Sequence, residues 1–264
     1  SEKDKFKIDQ YVMRGGRVLW LIDRLNANLD SLNTRPRFVP TDYPLNLEDM
    51  LFRYGVRIQP DLVMDIECTQ IPLKVGELGG TPQFKLFPWY YHPAVLPSGE
   101  HPVVKNVDRV ELRFCSSIDT IRTKTRLTKI PLLRSSRYSR LQFSPIDLNF
   151  EILREAPDPA KFNKGSQIVS VLLEGVFASN YENRVSIEMD AQLKQLGVPF
   201  KSVSEPTRMI VVSDGDVAAN FVRPDNKSWL PLGFNQYENR AYANKDLLLN
   251  AIEYLIEPNG VVEA

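Results

Sequence analysis

The chain is poor in the residues that build redox, metal and disulfide sites: 264 residues hold two cysteines and two histidines. Cys68 and Cys115 lie far apart with no Cys-x-x-Cys, which excludes a zinc-ligand set and a disulfide framework and leaves a single bridge open. His92 and His101 each precede proline, so both are biased towards extended backbone, and neither has a second ligand at metal-binding spacing. A structural or surface role is expected of both. Net charge is also lacking, with 33 Lys plus Arg against 33 Asp plus Glu, so no global field draws the chain to nucleic acid or to an anionic membrane. No apolar run approaches the ~20 residues that span a bilayer, and no signal peptide opens the chain. The phosphate loop, Gly-x-Gly-x-x-Gly, His-Glu-x-x-His and Gly-x-Ser-x-Gly are all missing, which removes the ATPase, dehydrogenase, zinc-protease and α/β-hydrolase readings. Asp214-Gly-Asp216 lacks the further oxygen ligands of a calcium loop. Neither a metal nor a cofactor is expected.

What is present is organised around Arg208 to Asn220, where Met209 to Val212 run without alternation into Ser213-Asp-Gly-Asp216. A strand with both faces covered reads this way, and such strands belong mostly to parallel sheets, whose ligands bind beyond the strands' carboxyl ends. Similar runs occur at Arg17 to Asp23, Gln59 to Asp65 and Gln167 to Glu174. Between them lie helical patterns. Ser1 to Asp4 resembles a capping box before a helix ended by Gly15-Gly16. Asn46 is expected to cap a helix with Leu47, Met50, Leu51 and Tyr54 at helical spacing and Gly55 at its end. Ser186 to Leu196 reads as a helix of modest quality, and Asn244 caps the clearest one, with Leu248, Ala251, Ile252 and Leu255 on one stripe and Pro258-Asn-Gly260 as its stop. The fold expected is α/β: a mainly parallel sheet flanked by helices, a three-layer sandwich of flavodoxin-like type with a β-rich excursion. One domain over 1–264 is expected, with a β-rich, partly basic subregion at 84–150. A chain that opens on a helix cap reads as a fragment of a longer protein.

The excursion has its own features. Prolines 36, 40 and 44 mark a long surface loop, and Thr69 to Pro82 reads as turn-rich. Phe87-Pro-Trp-Tyr-Tyr-His-Pro93 is dense in aromatics, which favours core or β-ladder over a binding platform. Thr120 to Ile146 contains basic residues and no acid beyond Thr120 until Asp147. Alternation in Ile121-Arg-Thr-Lys-Thr-Arg-Leu127 places Arg122, Lys124 and Arg126 on one strand face: a charge-protected edge strand, or a docking surface for an acidic partner or phospholipid headgroups.

Four acids end apolar runs: Asp23, Asp65, Glu174 and Asp214. If the strands are parallel, these carboxylates share one sheet edge with Ser213 and Asp216. They either complement the following helix starts or line a polar cleft that binds a ligand or partner.

Several stretches carry a resemblance: Ser1 to Asp23, Leu45 to Pro60, Phe87 to Pro93, His101-Pro-Val-Val-Lys-Asn106, Ser116-Ser-Ile-Asp-Thr-Ile121, Leu132-Leu-Arg-Ser-Ser136 and Ser213 to Asp216. Together they resemble the auxiliary, substrate-binding-like component of the ABC transporter associated with bacterial gliding motility, the GldG family. The resemblance implies a periplasmic module held to the inner membrane by hydrophobic segments outside these residues. It implies a permease subunit and a cytoplasmic ATPase as partners, and a sheet similar to class I glutamine amidotransferase-like domains. Those enzymes place a cysteine nucleophile at a strand-to-helix elbow with a histidine partner, and no strand end here has cysteine next to its acid. A non-enzymatic transporter component is therefore expected. The alternatives are a small-molecule or glycan-processing enzyme, for which Cys68 is the candidate nucleophile, and a pure interaction scaffold.

Overall fold

The structure, a computed structural model, describes residues 1–154, 156–223 and 227–257; the expected stop at Pro258-Asn-Gly260 lies outside them. Helix α1 (Glu2–Met13) opens on the expected capping box, in which Ser1 Oγ accepts from the Asp4 amide and the Asp4 carboxylate reaches back to Ser1. Gly15, at φ 86°, turns the chain into β1 (Val18–Leu21). A single turn, α2 (Ser31–Thr34), sits in the proline-marked excursion. Helix α3 (Glu48–Tyr54) is not capped by Asn46 as expected: Leu47 holds the cap position and the Asn46 side-chain amide donates to Glu2 at 3.1 Å. The helix ends on left-handed Gly55 and leads to β2 (Val56–Ile58) and β3 (Asp61–Asp65). The strands β4 (Cys68–Leu78), β5 (Thr81–Pro97), β6 (Val110–Glu111), β7 (Ile118–Thr120), β8 (Leu127–Arg134), β9 (Ser139–Phe143) and β10 (Ile168–Gly175) follow. The chain then forms α4 (Ile187–Gln195), β11 (Thr207–Val212), the short pair β12 (Phe234–Asn235) and β13 (Arg240–Ala241), and α5 (Asn244–Ile256).

The main sheet runs in the order β1, β11, β10, β8, β5, β4, with β6 on β5. Its β1–β11 pair is parallel, Val18 opposite Met209. The β10–β11, β8–β10, β5–β8, β4–β5 and β5–β6 pairs are antiparallel, as are β2–β7 and β3–β9. The molecule is a strand-rich, mostly antiparallel, curled half-barrel. This corrects the expected mainly parallel, three-layer flavodoxin-like or amidotransferase-like sandwich.

The reason lies in β10 and β11. Ile210 and Val212 face one core with Val169, Leu172, Leu247 and Ala251. Met209 and Val211 face another with Val171, Leu173, Met13 and Tyr54. Apolar runs without alternation report that both faces are covered, and coverage does not set strand direction. Helix α5 covers one face and α1 with α3 the other, while the aromatic segment of β5 builds a third core around Trp89, Tyr90 and Tyr91 with Phe114, Ile146 and Leu148.

Three local expectations change as well. Thr69 to Pro82 is a strand and a hairpin turn: β4 and β5 pair along most of their length, and Gly79 and Gly80, at φ 57° and 80°, make the turn. Pro72 is tolerated because β4 is the last strand in the sheet order, so its missing N–H breaks no inner ladder. Residues 121–126 form a loop, because the chain must leave β7, paired with β2, and reach β8, paired with β10. Thr123 Oγ1 donates to the Thr125 carbonyl at 2.6 Å within it. Asn244 begins α5 without capping it; its side chain accepts from the Glu111 amide at 3.0 Å and donates to the Glu111 carbonyl at 2.8 Å, latching α5 to β6.

Leu172 is fully buried, whereas Leu78, beside the β4–β5 turn, is 74% exposed. Leu172→Ala is expected to cost about 2–5 kcal/mol in urea unfolding, and Leu78→Ala less than about 0.5 kcal/mol. Equal costs would refute this division between core and projecting hairpin.

Candidate functional site

The corner beyond β11 is built by hydrogen bonds from backbone to carboxylate. Parallel pairing brings the ends of β1 and β11 together, with the Ile22 amide donating to the Val212 carbonyl at 3.0 Å. Ser213, fully buried, donates from Oγ to the carbonyls of Ser116 and Val169. Asp214, also fully buried, accepts from the Arg113 amide at 2.6 Å and from the Asp216 amide at 2.7 Å. Asp23 accepts from the Gly215 amide at 2.9 Å. Gly215 lets the two approach: a Cβ there would lie 2.6 Å from the Asp23 carboxylate, which would have to shift. Burial pushes the Asp214 carboxyl well above the usual carboxylate range, with the charges of Asp23 and Asp216 adding to it. Burial also raises Asp23, and the Asp216 charge adds to that shift against the Gly215 hydrogen bond.

Of the expected acids, Asp23, Asp214 and Asp216 come together here. Glu174 does not: antiparallel pairing sets it opposite Arg208 at the far end of β11, where it accepts from the Tyr254 hydroxyl at 2.7 Å. Asp65 ends β3 and accepts from the Glu67 amide at 2.9 Å and from the Ser136 amide and hydroxyl at 2.6 Å each, tying β3 to the turn before β9.

The corner feeds two cavities. Asp23 lines one of about 370 Å³ with Arg24, Glu48 and Arg57 over apolar Leu45, Leu47 and Phe52. Arg24 is held there by Asp42 at 2.8 Å and Glu48 at 3.5 Å. Asp216 lines the second, of about 200 Å³, with His92, Glu111, Arg113 and Phe221. Glu111 is buried and accepts from the Thr69 hydroxyl at 3.0 Å and from Arg113 Nη2 at 3.1 Å. The Arg113 guanidinium lies 3.7 Å from the centre of the Phe221 ring. Phe114, at φ 51°, holds a conformation that is strained for a bulky residue. The signal for Glu111 and Arg113 was in the sequence: they alternate with Val110, Leu112 and Phe114, so one face of this segment is a charged pair against a buried apolar face.

Arg122, Lys124 and Arg126 are all exposed on the loop after β7. Arg122 and Lys124 line a cleft of about 340 Å³ with Arg53 and Arg184, opposed by Asp49 and Glu182. Lys124 reaches Glu182 at 3.4 Å.

Neither cysteine is placed for nucleophilic work. Both are free, and burial pushes the Cys68 thiol up to about 12 and the Cys115 thiol well above its usual value. A thiolate nucleophile needs the opposite shift. Among the described residues no group of His, Cys, Asp or Glu is arranged to hold a metal ion, and no helix is long and apolar enough to cross a membrane.

Comparison with protein families finds one whose model, described as an ABC-type uncharacterized transport system, matches residues 1–251. Searches of curated proteins and of solved structures return no match.

Because the carboxyls of Asp23 and Asp214 are raised in the folded chain, their favourable contribution is complete below the unfolded-state carboxylate range and is lost as pH rises through the folded values. Asp23→Asn keeps the oxygen that accepts from Gly215 and removes one neighbouring charge. It is expected to flatten the fall in urea midpoint between weakly acid and neutral pH; a slope identical to that of the parent chain would refute coupling at this corner.

Proposed function

The chain belongs to the family of ABC-type transport-system auxiliary proteins, and from that membership we propose that it is the non-enzymatic, substrate-binding-like component of an ABC transporter associated with bacterial gliding motility. In this reading it works on the periplasmic side, attached to the inner membrane by hydrophobic segments outside these residues, and meets a permease subunit and through it a cytoplasmic ATPase. The observation that carries the reading is the family match over nearly the whole described chain. The gliding-motility assignment is supported by the distributed resemblance at Ser1 to Asp23, Phe87 to Pro93 and Ser213 to Asp216. A non-catalytic role is supported by the two thiols, both shifted away from reactivity.

Two surfaces suit the two tasks of such a component. The acidic corner of Asp23, Ser213, Asp214 and Asp216 stands between cavities that could hold a ligand, while Asp65 and Glu174 belong to structural contacts elsewhere. The loop carrying Arg122, Lys124 and Arg126 presents three exposed cations for docking on an acidic face of the permease.

Reversing these three residues to glutamate in the full-length protein is expected to lower permease recovery in a pull-down from membranes roughly tenfold, since each rim charge contributes up to about 1 kcal/mol. Unchanged recovery removes the docking surface. Deleting the gene should abolish colony spreading, restored by the intact gene; normal spreading without it would sink the gliding assignment.

A further inference from the structure

The cavity of about 200 Å³ beside Asp216 is polar in a way the fold does not need. His92 is 6% exposed, and its Nε2 is buried with no hydrogen-bond partner among the described residues. An unsatisfied buried nitrogen costs about 1–3 kcal/mol. Its ring meets Phe114 edge-on at 4.9 Å. Burial keeps the imidazole neutral, leaving it one donor and one acceptor. Arg113 lines the same cavity; its Nη2 pairs with Glu111 and its plane is fixed over Phe221, so the fork is oriented while most of its five donors have no partner among the described residues. Gln236 and Tyr237 add an amide and a phenol at the rim.

We propose that this pocket binds one ring of a neutral, polyhydroxylated ligand: a sugar. Size, charge and donor balance each narrow the class. The volume lies below the roughly 300–1,000 Å³ of pockets that enclose drug-sized ligands, which fits a single ring. Three carboxylates, Asp30, Glu111 and Asp216, stand against one guanidinium, which disfavours phosphates and other anions. A cation would leave the Arg113 donors without acceptors. Sugar hydroxyls both donate and accept, so they satisfy Arg113, His92, Gln236 and Asp216 together, while Phe114 and Tyr237 offer apolar ring surface.

This deepens the substrate-binding reading and rests on it for its place in transport; the binding itself is measured on the 264-residue chain, apart from any permease. Saturation-transfer NMR would be run with glucose, galactose, N-acetylglucosamine and cellobiose, with spermidine and inorganic phosphate as comparators. Saturable binding of at least one sugar in the millimolar range or tighter is expected. His92→Phe, which keeps an aromatic ring and removes both nitrogens, and Gln236→Ala, at the rim, should each weaken it roughly tenfold, the equivalent of one lost hydrogen bond. Lys74→Ala on the projecting hairpin should leave it unchanged. Circular dichroism checks the fold of each variant, and Gln236→Ala decides alone if His92→Phe does not fold. Absence of saturable sugar binding, binding of spermidine or phosphate instead, or sugar binding indifferent to Gln236→Ala overturns the proposal. Sugar binding alongside permease recovery unchanged by the charge reversal would overturn the docking surface and leave the pocket standing.

Discussion

The whole arrangement depends on two neighbouring strands that must bury both faces. Successive residues of β10 and β11 enter opposite cores, and neither strand can be solvated on either side without exposing fully buried Val171, Leu172, Met209 or Val211. At about 25 cal/mol per Å² of apolar surface, this requirement outweighs any single polar contact in the chain. It explains why α5 lies against one face and α1 with α3 against the other. It also explains why β1, from the start of the chain, seals the free side of β11.

That sealing creates the polar corner. Once β1 and β11 end side by side, the half-buried backbone amides of Gly215 and Arg113 and the amide of Asp216 need acceptors at this corner, and the carboxylates of Asp23 and Asp214 supply them. Asp214 thereby fixes the backbone at Arg113, whose side chain forms one wall of the smaller cavity. The corner is a structural joint whose geometry reaches into a pocket, and the acids are retained there at the expense of an unfavourable crowding of negative charge.

Much of the local structure was legible in the sequence. The capping box of α1, the glycine stop of α3, the helix after Ser186 and the runs that became β1, β3, β10 and β11 follow from residue chemistry within a few positions. Strand direction was not legible, because an apolar run such as Met209 to Val212 records how many faces are covered and carries nothing about its neighbour's orientation. The β4–β5 hairpin was hidden by its prolines and glycines, which read as turns until the edge position of β4 shows why they are tolerated. The alternating cations at Arg122, Lys124 and Arg126 mimic a strand, yet the chain is changing partners there. Proximity in space, which joins His92 of β5 to Arg113 and Asp216, has no trace in sequence spacing.

The pairing of β1 with β11 has a consequence in time. Val18 faces Met209, so during synthesis β1 waits about 190 residues for its partner, roughly 10–40 s at about 5–20 residues per second. Through that interval Trp20, Leu21 and Ile22 have no β11 to pair beside, and the local β4–β5 hairpin can form first. Closing so distant a contact late makes the docking of β1 on β11 a slow step of assembly.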